Sequence, residues 1–332
     1  MDTSTPARIF GTLHAYQETA ALKAGIDLGV FTAIASGAQT AAEIAAECGA
    51  AERGVRILCD ALTATGMLEK SEGRYSNAPD TGTFLNRNSP AYMGGIAEFL
   101  YTPEILTETM QHLTACVRKG GTAMPGEGTV SPDNPVWVTF ARAMAPITVM
   151  SARAMAEELP ASGPLKVLDI AAGHGNFGIT VARRNAEAEI TALDWGQVLA
   201  VAVENARKAG VADRYTTLAG DFFTTDLGAG YDAVLITNFL HHFDRATCVA
   251  AMRKVHEALR PGGCAMTLEF VPEEDRVSPP SQARFALTML ITTSAGDAYT
   301  WGEYEGMMGE AGFASSRRVV LPTEQSVIIS TK

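Results

Sequence analysis

Short apolar runs alternate with helix-length stretches between residues 165 and 270 of the chain. Apolar runs of this kind are typical of strands buried on both faces, and their alternation with helices is typical of a parallel sheet. The runs are LKVLDI, EITALD, RYTTLA, YDAVLIT and GCAMTLEF. Two further runs, 317–321 and 326–330, are separated by only four residues, which predicts an antiparallel pair. Together these runs predict a doubly wound α/β sheet of seven strands.

The first 95 residues have a different pattern, in which apolar residues recur at spacings of three and four. Helices are predicted over residues 7–24, 40–49 and 52–65. Thr40 and Glu43 have the spacing of a capping box. The turn sequence at residues 71–73 lies between two short alternating segments and predicts a β-hairpin. Helices followed by a hairpin are typical of a winged helix.

Charge decides how this N-terminal part is interpreted. Winged helices often bind DNA, but residues 40–80 contain four basic and seven acidic side chains, and the whole chain has a net charge of −11. A polyanion is therefore disfavoured as a partner. We expect residues 1–95 to form a homodimer and not to contact nucleic acid; a DNA-binding regulator is the alternative.

Two further segments complete the predicted organisation. Residues 96–160 are interpreted as a helical linker that contributes to a substrate pocket, with one helix over residues 135–159. The sequence PASGP at residues 160–164 is a natural boundary. Residues 161–332 are then a separate cofactor-binding domain.

The composition is typical of a globular enzyme: 332 residues, 47% hydrophobic and 19% charged. The five cysteines are widely spaced without a C-x-x-C pair, so neither a disulfide framework nor a metal site is predicted. The N-terminus has no basic segment followed by an apolar stretch, and no apolar run approaches ~18 residues. We therefore expect a cytoplasmic enzyme without a membrane partner.

A glycine-rich turn follows the first strand of the predicted sheet, where VLDI is followed by AAGHGNFG. Glycines let a ligand approach the backbone at a helix N-terminus, where unpaired N–H groups favour an anion. Gly173, Gly175 and Gly178 satisfy G-x-G-x-x-G, and Asp194 ends the second strand, so a nicotinamide dinucleotide is one candidate ligand.

Asp169, at the end of the first strand, favours a different ligand. Its charge would repel a pyrophosphate and attract the ammonium group of a methionine moiety. Asp194 is placed to accept bonds from both ribose hydroxyls. At the end of the third strand, Asp221 offers a carboxylate to an adenine amine, and Phe222 offers a ring face beside the base. Acids that end three successive strands predict one ligand site.

The chain resembles the S-adenosylmethionine-dependent O-methyltransferases of the plant caffeate and bacterial polyketide-tailoring type. The motifs that carry the resemblance are LDIAAGHG, ALDW, GDFF, NFLHHFD and ALRPGG. The resemblance covers nearly the whole chain and implies a Rossmann-like class I methyltransferase fold, with S-adenosylmethionine bound also by Trp195 and Asn238. Two positions differ from the family. Ala171 replaces the first glycine of the family's glycine run, and Thr237 replaces a lysine that is often found near the adenine.

The fourth strand ends beside two adjacent histidines, and one of them is a candidate general base. By motif position, His241 matches the catalytic histidine of the family, and Glu269 matches an acid that orients it. His242 occupies a place usually held by an acid and is expected near the substrate. A second orienting acid of many relatives corresponds to Ala298, with Asp297 one residue away.

The resemblance also implies where the acceptor binds. Phe140, Met144 and Met289 match positions that line the slot for an aromatic acceptor. The expected activity is methyl transfer to a hydroxyl of a small aromatic or polyketide-like molecule, with S-adenosylhomocysteine as product. N-methylation, C-methylation, hydroxylation or rearrangement on the same fold are alternatives, and a nicotinamide-dependent oxidoreductase is an alternative from a different class.

Overall fold

A computed structural model describes residues 5–126, 128–129 and 136–332, and the chain divides into two units between Ala97 and Glu98. The division lies close to residue 95, where the sequence predicts that the N-terminal domain ends. Residues 98–160 belong to the same unit as the large sheet.

The N-terminal unit consists of helices and one β-hairpin, in the predicted order. Its elements are α1 (Ala7–Leu28), α2 (Val30–Ala35), α3 (Ala41–Cys48), α4 (Glu52–Ala64), β1 (Leu68–Ser71), β2 (Arg74–Asn77) and α5 (Pro79–Phe84). Strands β1 and β2 pair antiparallel. Glu72 and Gly73, between them, both have positive φ, as a tight two-residue hairpin turn requires.

The helix boundaries of this unit follow local rules. The Thr40 hydroxyl accepts from the Glu43 N–H at 3.3 Å, and the Glu43 carboxylate accepts from the Thr40 N–H at 2.9 Å, which confirms the capping box. Helix α1 continues beyond the predicted end at residue 24 and ends at Gly29, whose φ is 76°. Phe31, Ile44 and Leu62 are fully buried and form the centre of this unit's core.

In the described residues, five short helices immediately precede the large sheet, and the division between the two units falls within the first of them. They are α6 (Ile96–Leu100), α7 (Pro103–Thr107), α8 (Leu113–Lys119), α9 (Val136–Met144) and α10 (Val149–Glu157), with a π-helical segment at Glu108–His112. The single helix predicted over residues 135–159 is wrong, because the chain leaves the helix between Met144 and Val149. Pro146 has no N–H and disfavours helical backbone at the residue before it. Position 135 lies outside the described residues.

Seven strands form one mixed sheet in the order β5-β4-β3-β6-β7-β9-β8. The strands are β3 (Leu165–Ile170), β4 (Ala188–Asp194), β5 (Tyr215–Ala219), β6 (Tyr231–Thr237), β7 (Leu259–Glu269), β8 (Ser315–Val320) and β9 (Ser326–Thr331). The helices among them are α11 (Asn176–Arg184), α12 (Gly196–Lys208), α13 (Arg245–Ala258), α14 (Pro280–Thr292) and α15 (Trp301–Ala311). Strands β3 to β7 are parallel, and β9 pairs antiparallel with both β7 and β8, which confirms the predicted fold class.

Both faces of this sheet are buried. On one face, Val167 and Leu235 pack with apolar residues of α10, α11 and α12. On the other face, Leu168 and Val234 pack with residues of α13 and α15. Strand order reverses between β3 and β6, and ligands of doubly wound sheets bind beyond the carboxyl ends of the strands at such a point.

Candidate active site

A cavity of about 210 Å³ opens at the carboxyl ends of β3, β4 and β6. Its wall includes the backbone of the glycine-rich turn, two acidic side chains and two clusters of aromatic rings. One cluster contains Phe222, Phe223, Phe239 and Phe243. In the other, Trp137 makes edge-to-face contacts with Phe140 and His242 at centroid distances of 5.4 Å. Such a mixture of apolar surface and a few polar groups is typical of a small-molecule site.

Glycine is required at two positions of the turn after β3. Gly173 has φ 57°, and a Cβ there would meet nothing closer than the Ala171 oxygen at 3.8 Å, so the turn leaves open space on its cavity side. Gly175 has φ 79°, and a Cβ there would lie 2.7 Å from the Tyr215 hydroxyl. Ala171 also has positive φ, at 51°, which strains a residue with a Cβ.

Asp194, at the end of β4, lines the cavity and also holds the turn. One carboxylate oxygen accepts from the Gly173 N–H at 2.8 Å, and the other from the Trp195 N–H at 2.7 Å. Burial raises the pKa of Asp194 to about 6, although the two N–H groups favour its charged form. Each oxygen keeps a further lone pair for a ligand.

Asp169, predicted to attract the ammonium group of the cofactor, lies near the end of β3 as expected. The side chain is fully buried, accepts from the Gly178 N–H at 3.0 Å and is not among the residues that line the cavity. One carboxylate oxygen bonds to the first turn of α11, and the other is buried without a partner among the described residues. Burial raises its pKa to about 8. Asp169 therefore supports the turn from behind.

The remaining residues predicted for the cofactor line the cavity: Trp195, Asp221, Phe222 and Asn238. Asp221 accepts from the Phe223 N–H at 2.8 Å, which fixes its carboxylate at the end of β5. Asn238 has φ 54°, and its side-chain oxygen accepts from the Gln325 amide at 2.5 Å. The bond from Gln325, in the link between β8 and β9, had no signal in the sequence.

His241 and Glu269 form a buried pair beside the cavity. The Nδ1 atom of His241 makes a short hydrogen bond with Oε2 of Glu269, and Oε1 of Glu269 accepts from the Phe239 and Leu240 N–H groups at 3.1 and 2.9 Å. A proton on Nδ1 leaves Nε2 of His241 as a proton acceptor, and Nε2 has no hydrogen bond to any described residue.

His242, and not His241, lies on the cavity wall. The two ring centroids are 4.3 Å apart, and the His241 ring also makes an edge-to-face contact with Phe285 at a centroid distance of 4.9 Å. Burial and the neighbouring His241 lower the pKa of His242 well below its ordinary value. The pair therefore presents a neutral imidazole to the cavity.

Asp297 does not replace the acid that is missing at Ala298. Its carboxylate is near Arg276 at 3.3 Å, on the exposed side of the loop, and only its N–H reaches the histidine pair, donating to the His241 carbonyl at 3.0 Å. Ala298 is buried. Glu269 is thus the acid that bonds to the His241 ring among the described residues.

The structure separates the three predicted acceptor residues. Phe140 lines the cavity, whereas Met144 and Met289 do not. Met289 is buried on the inner face of α14, one turn after Phe285. Trp137 is not among the residues predicted from the sequence, although its position three residues before Phe140 on α9 is a usable signal. The contact between Phe285 and His241 comes from packing and had no such signal.

Residues 111–314 match a family model described as an O-methyltransferase domain, and residues 10–87 match one described as an O-methyltransferase dimerisation domain. The chain belongs to the O-methyltransferase family. This O-methyltransferase is 30% identical to the 3-hydroxy-5-methyl-1-naphthoate 3-O-methyltransferase of Streptomyces sahachiroi, over 95% of this chain and 92% of that one.

Two solved structures extend the comparison. A candidate O-methyltransferase from Nostoc punctiforme is 48% identical over the full length of both chains, with a TM-score of 0.95. Human N-acetylserotonin methyltransferase, solved in complex with S-adenosylmethionine, is 20% identical, with a TM-score of 0.86 over 100% of this chain and 99% of that one, and shares the fold.

Family membership confirms the predicted enzyme class and cofactor: the protein is an S-adenosylmethionine-dependent O-methyltransferase. It decides against the nicotinamide oxidoreductase and against the DNA-binding regulator. Among the described residues, no group of His, Cys, Asp and Glu side chains could hold a metal ion. None of the helices in the described ranges is long and apolar enough to cross a membrane.

Proposed function

We propose that this O-methyltransferase methylates a hydroxyl of a small aromatic or polyketide-like acceptor, with His241 as general base and Glu269 as its orienting acid. The observation that carries the proposal is the buried bond between His241 Nδ1 and Glu269, next to an aromatic-walled cavity. The name of the Streptomyces sahachiroi relative supports the acceptor class, because that enzyme acts on a hydroxyl of a naphthoate.

The cavity fits S-adenosylmethionine at the end formed by the glycine-rich turn. The open space over Gly173 admits the methionine portion, and the spare lone pairs of Asp194 accept the two ribose hydroxyls. Asp221 and Phe222 are placed for the adenine amine and ring, while Trp195 and Asn238 complete the proposed cofactor contacts. Gly175, predicted to bind the cofactor, does not line the cavity and contributes the shape of the turn. The aromatic cluster around Phe222 offers apolar ring surface beside the adenine.

The bound cofactor supplies an electrophilic methyl group, which leaves its sulfur as the new bond to the acceptor oxygen forms. His241 Nε2 takes the acceptor's hydroxyl proton, and Glu269 stabilises the resulting imidazolium without taking the proton itself. The cavity walls contribute alignment of the two reacting atoms, which is the larger part of catalysis for a displacement of this kind.

On the acceptor side, Phe140 and Trp137 offer flat apolar surface, and His242 offers a neutral ring. We propose that an aromatic acceptor lies against these rings, with its hydroxyl directed past His242 towards His241. Met144 and Met289, which do not line the cavity, then support this wall without contacting the acceptor.

We also propose a homodimer through residues 1–95, with residues 96–160 as helical linker and residues 161–332 as catalytic domain. Helix α1 carries large apolar side chains that are exposed within its own unit: Ile9, Phe10, Leu13 and Tyr16. A stripe of this kind on a long helix needs a partner surface, and the match to a dimerisation domain supports a second copy as that partner. The cytoplasmic location stays a prediction.

The test is an assay of methyl transfer from S-adenosylmethionine labelled in its methyl group. The panel contains hydroxynaphthoates and phenols, each paired with a methyl ether in which the reacting hydroxyl is blocked and with the corresponding aromatic amine. We expect label on oxygen of the free phenols alone, located by NMR of the product. Label on nitrogen or carbon would move the protein to one of the alternative activities.

A further inference from the structure

The turn that lines the cofactor end of the cavity contains a histidine that the proposed mechanism does not use. His174, between Gly173 and Gly175, is only 5% exposed and lines the cavity. Its Nδ1 atom accepts from the Asn176 N–H at 3.1 Å, and Nε2 lies 3.2 Å from the Thr148 hydroxyl. Because Nδ1 accepts, the ring proton is on Nε2 and is donated to Thr148.

Thr148 belongs to the break between α9 and α10. Its hydroxyl donates to the Ala145 carbonyl at 3.1 Å, and it accepts from the Asn176 side-chain amide at 3.1 Å. The same amide donates to the Ala145 carbonyl at 2.6 Å. All donors of this network have acceptors, so it fixes one geometry between the turn and the break.

Both sides of the network are anchored in the core. The His174 carbonyl accepts from the side chain of Asn205 on α12 at 2.9 Å. Helix α9 packs on α12 through Ala141, which is fully buried against Val198 and Val201. Trp137 and Phe140, on the same short helix, line the cavity, so a movement of the break would be transmitted to the acceptor wall.

We propose that His174 is a positioning residue. As a neutral imidazole with its proton on Nε2, it links the glycine-rich turn at the cofactor end of the cavity to the break between α9 and α10. Helix α9 lines the acceptor end of the cavity. The inference rests on the proposed function, since it takes the turn as cofactor site and α9 as acceptor wall. Fixing the two against each other sets the distance between the methyl group and the acceptor oxygen, on which the rate of displacement depends steeply.

The burial of the ring is consistent with this role. Desolvation lowers the pKa of His174 to about 4, so the ring keeps one proton at neutral pH. A charged ring would carry a proton on both nitrogens and could not accept from the Asn176 N–H.

The test uses Thr148, which is buried and does not line the cavity. Thr148→Val keeps the shape and removes the hydroxyl, leaving the His174 Nε2–H without its acceptor. We expect kcat/KM for the acceptor to fall about tenfold, because one buried hydrogen bond is lost. The fall should come from both a lower kcat and a higher KM of the acceptor. Thr148→Ser restores the hydroxyl and should return the value to within about twofold of wild type.

Thr267→Val is the matched control, because the Thr267 hydroxyl is buried and has no partner among the described residues. It should leave kcat/KM unchanged. His174→Ala should cost at least as much as Thr148→Val, and the double variant no more than His174→Ala alone, because both remove one network. A Thr148→Val enzyme with wild-type kinetics, or additive effects in the double variant, would overturn the inference.

Titration of each variant with S-adenosylhomocysteine separates this inference from the proposed function. If the wild-type chain failed to bind it, the cofactor site itself would be misplaced and the inference would fall with it. If the wild type binds it and Thr148→Ser fails to rescue Thr148→Val, only the positioning role is refuted.

Discussion

The two ends of the cavity are built in different ways. At the cofactor end, Asp194 and Asp221 follow consecutive strands, and each is fixed by N–H groups of nearby turns. At the reacting end, His241 is held by Glu269 from the next strand of the sheet, and it contacts Phe285 of α14. The carboxylates at the cofactor end are thus held by backbone N–H groups, whereas the histidine at the reacting end is held by side chains of other segments. Substitutions at the two ends should therefore separate binding from turnover.

The largest effect is expected at the reacting end. His241→Ala should lower kcat by ~100-fold or more while the affinity for cofactor stays near wild type, because general-base catalysis is lost and no adenosine contact is. Kinetics with an identified acceptor, together with calorimetric titration of S-adenosylhomocysteine, measure the two quantities. His256→Ala, on α13 and outside the cavity, is the control. Near wild-type turnover in His241→Ala would show that alignment alone drives the reaction.

At the cofactor end, Asp194→Ala should mainly lower the affinity for the cofactor and change kcat less. We expect affinity for S-adenosylmethionine to weaken by about 1.5 to 3 kcal/mol, the usual loss for a hydrogen bond to a charged group. Calorimetry provides the measurement, with the exposed Asp213→Ala as control. An unchanged dissociation constant would remove the ribose assignment.

Glu269→Gln should have an intermediate effect, about tenfold on kcat, because an orienting carboxylate stabilises the imidazolium without accepting its proton. The amide keeps the shape of Glu269 but has one accepting oxygen in place of two, so it cannot accept both from His241 Nδ1–H and from the Phe239 and Leu240 N–H groups. Steady-state kinetics test this. A loss as large as that of His241→Ala would mean that the acid does more than orient the ring.

His242→Ala should cost only a few-fold, and chiefly in the KM of the acceptor, since this ring is proposed to contact the acceptor and not to take its proton. The measurement that tests this is the kcat of His242→Ala compared with the kcat of His241→Ala. If the larger fall in kcat occurred in His242→Ala, the residue on the cavity wall would be the base, and His241 its support.

The smallest effect on binding is expected for Asp169→Asn. Burial holds the Asp169 pKa at about 8, so the group is already neutral at pH 7, and cofactor affinity should stay within about twofold of wild type. A large loss of cofactor affinity would indicate that the charged carboxylate of Asp169 binds the ammonium group of the cofactor directly.

The same substitution changes how stability depends on pH. Folding raises the pKa of Asp169 from an ordinary value of 3.8 to about 8, so the stability that its neutral form contributes is lost as pH rises across that interval. Relative to wild type, Asp169→Asn should therefore gain free energy of unfolding between about pH 5 and about pH 8, as urea denaturation would show. Parallel pH profiles of the two proteins would contradict the raised pKa.

Much of this molecule follows from short stretches of sequence. The capping box at Thr40 and the hairpin turn at Glu72 and Gly73 each specify their own structure, because their hydrogen bonds join residues a few positions apart. The apolar runs of β3 to β7 predict strands through their buried side chains, although the strands pair with partners that are distant in sequence. The residues at the ends of β4 and β5 line one cavity for a similar reason, since parallel strands bring their carboxyl ends to one edge.

Tertiary structure alone decided which side chains of these motifs face the cavity. Asp169 is fully buried, His242 and not His241 lines the cavity, and Met289 is buried away from it. The break at Pro146 is visible in the sequence, but its use as an anchor for His174 depends on α9 packing against α12. Sequence patterns specify the path of the backbone through local hydrogen bonds and buried periodicity. The direction of each side chain is set by the volumes of neighbours that are distant in sequence and close only after folding.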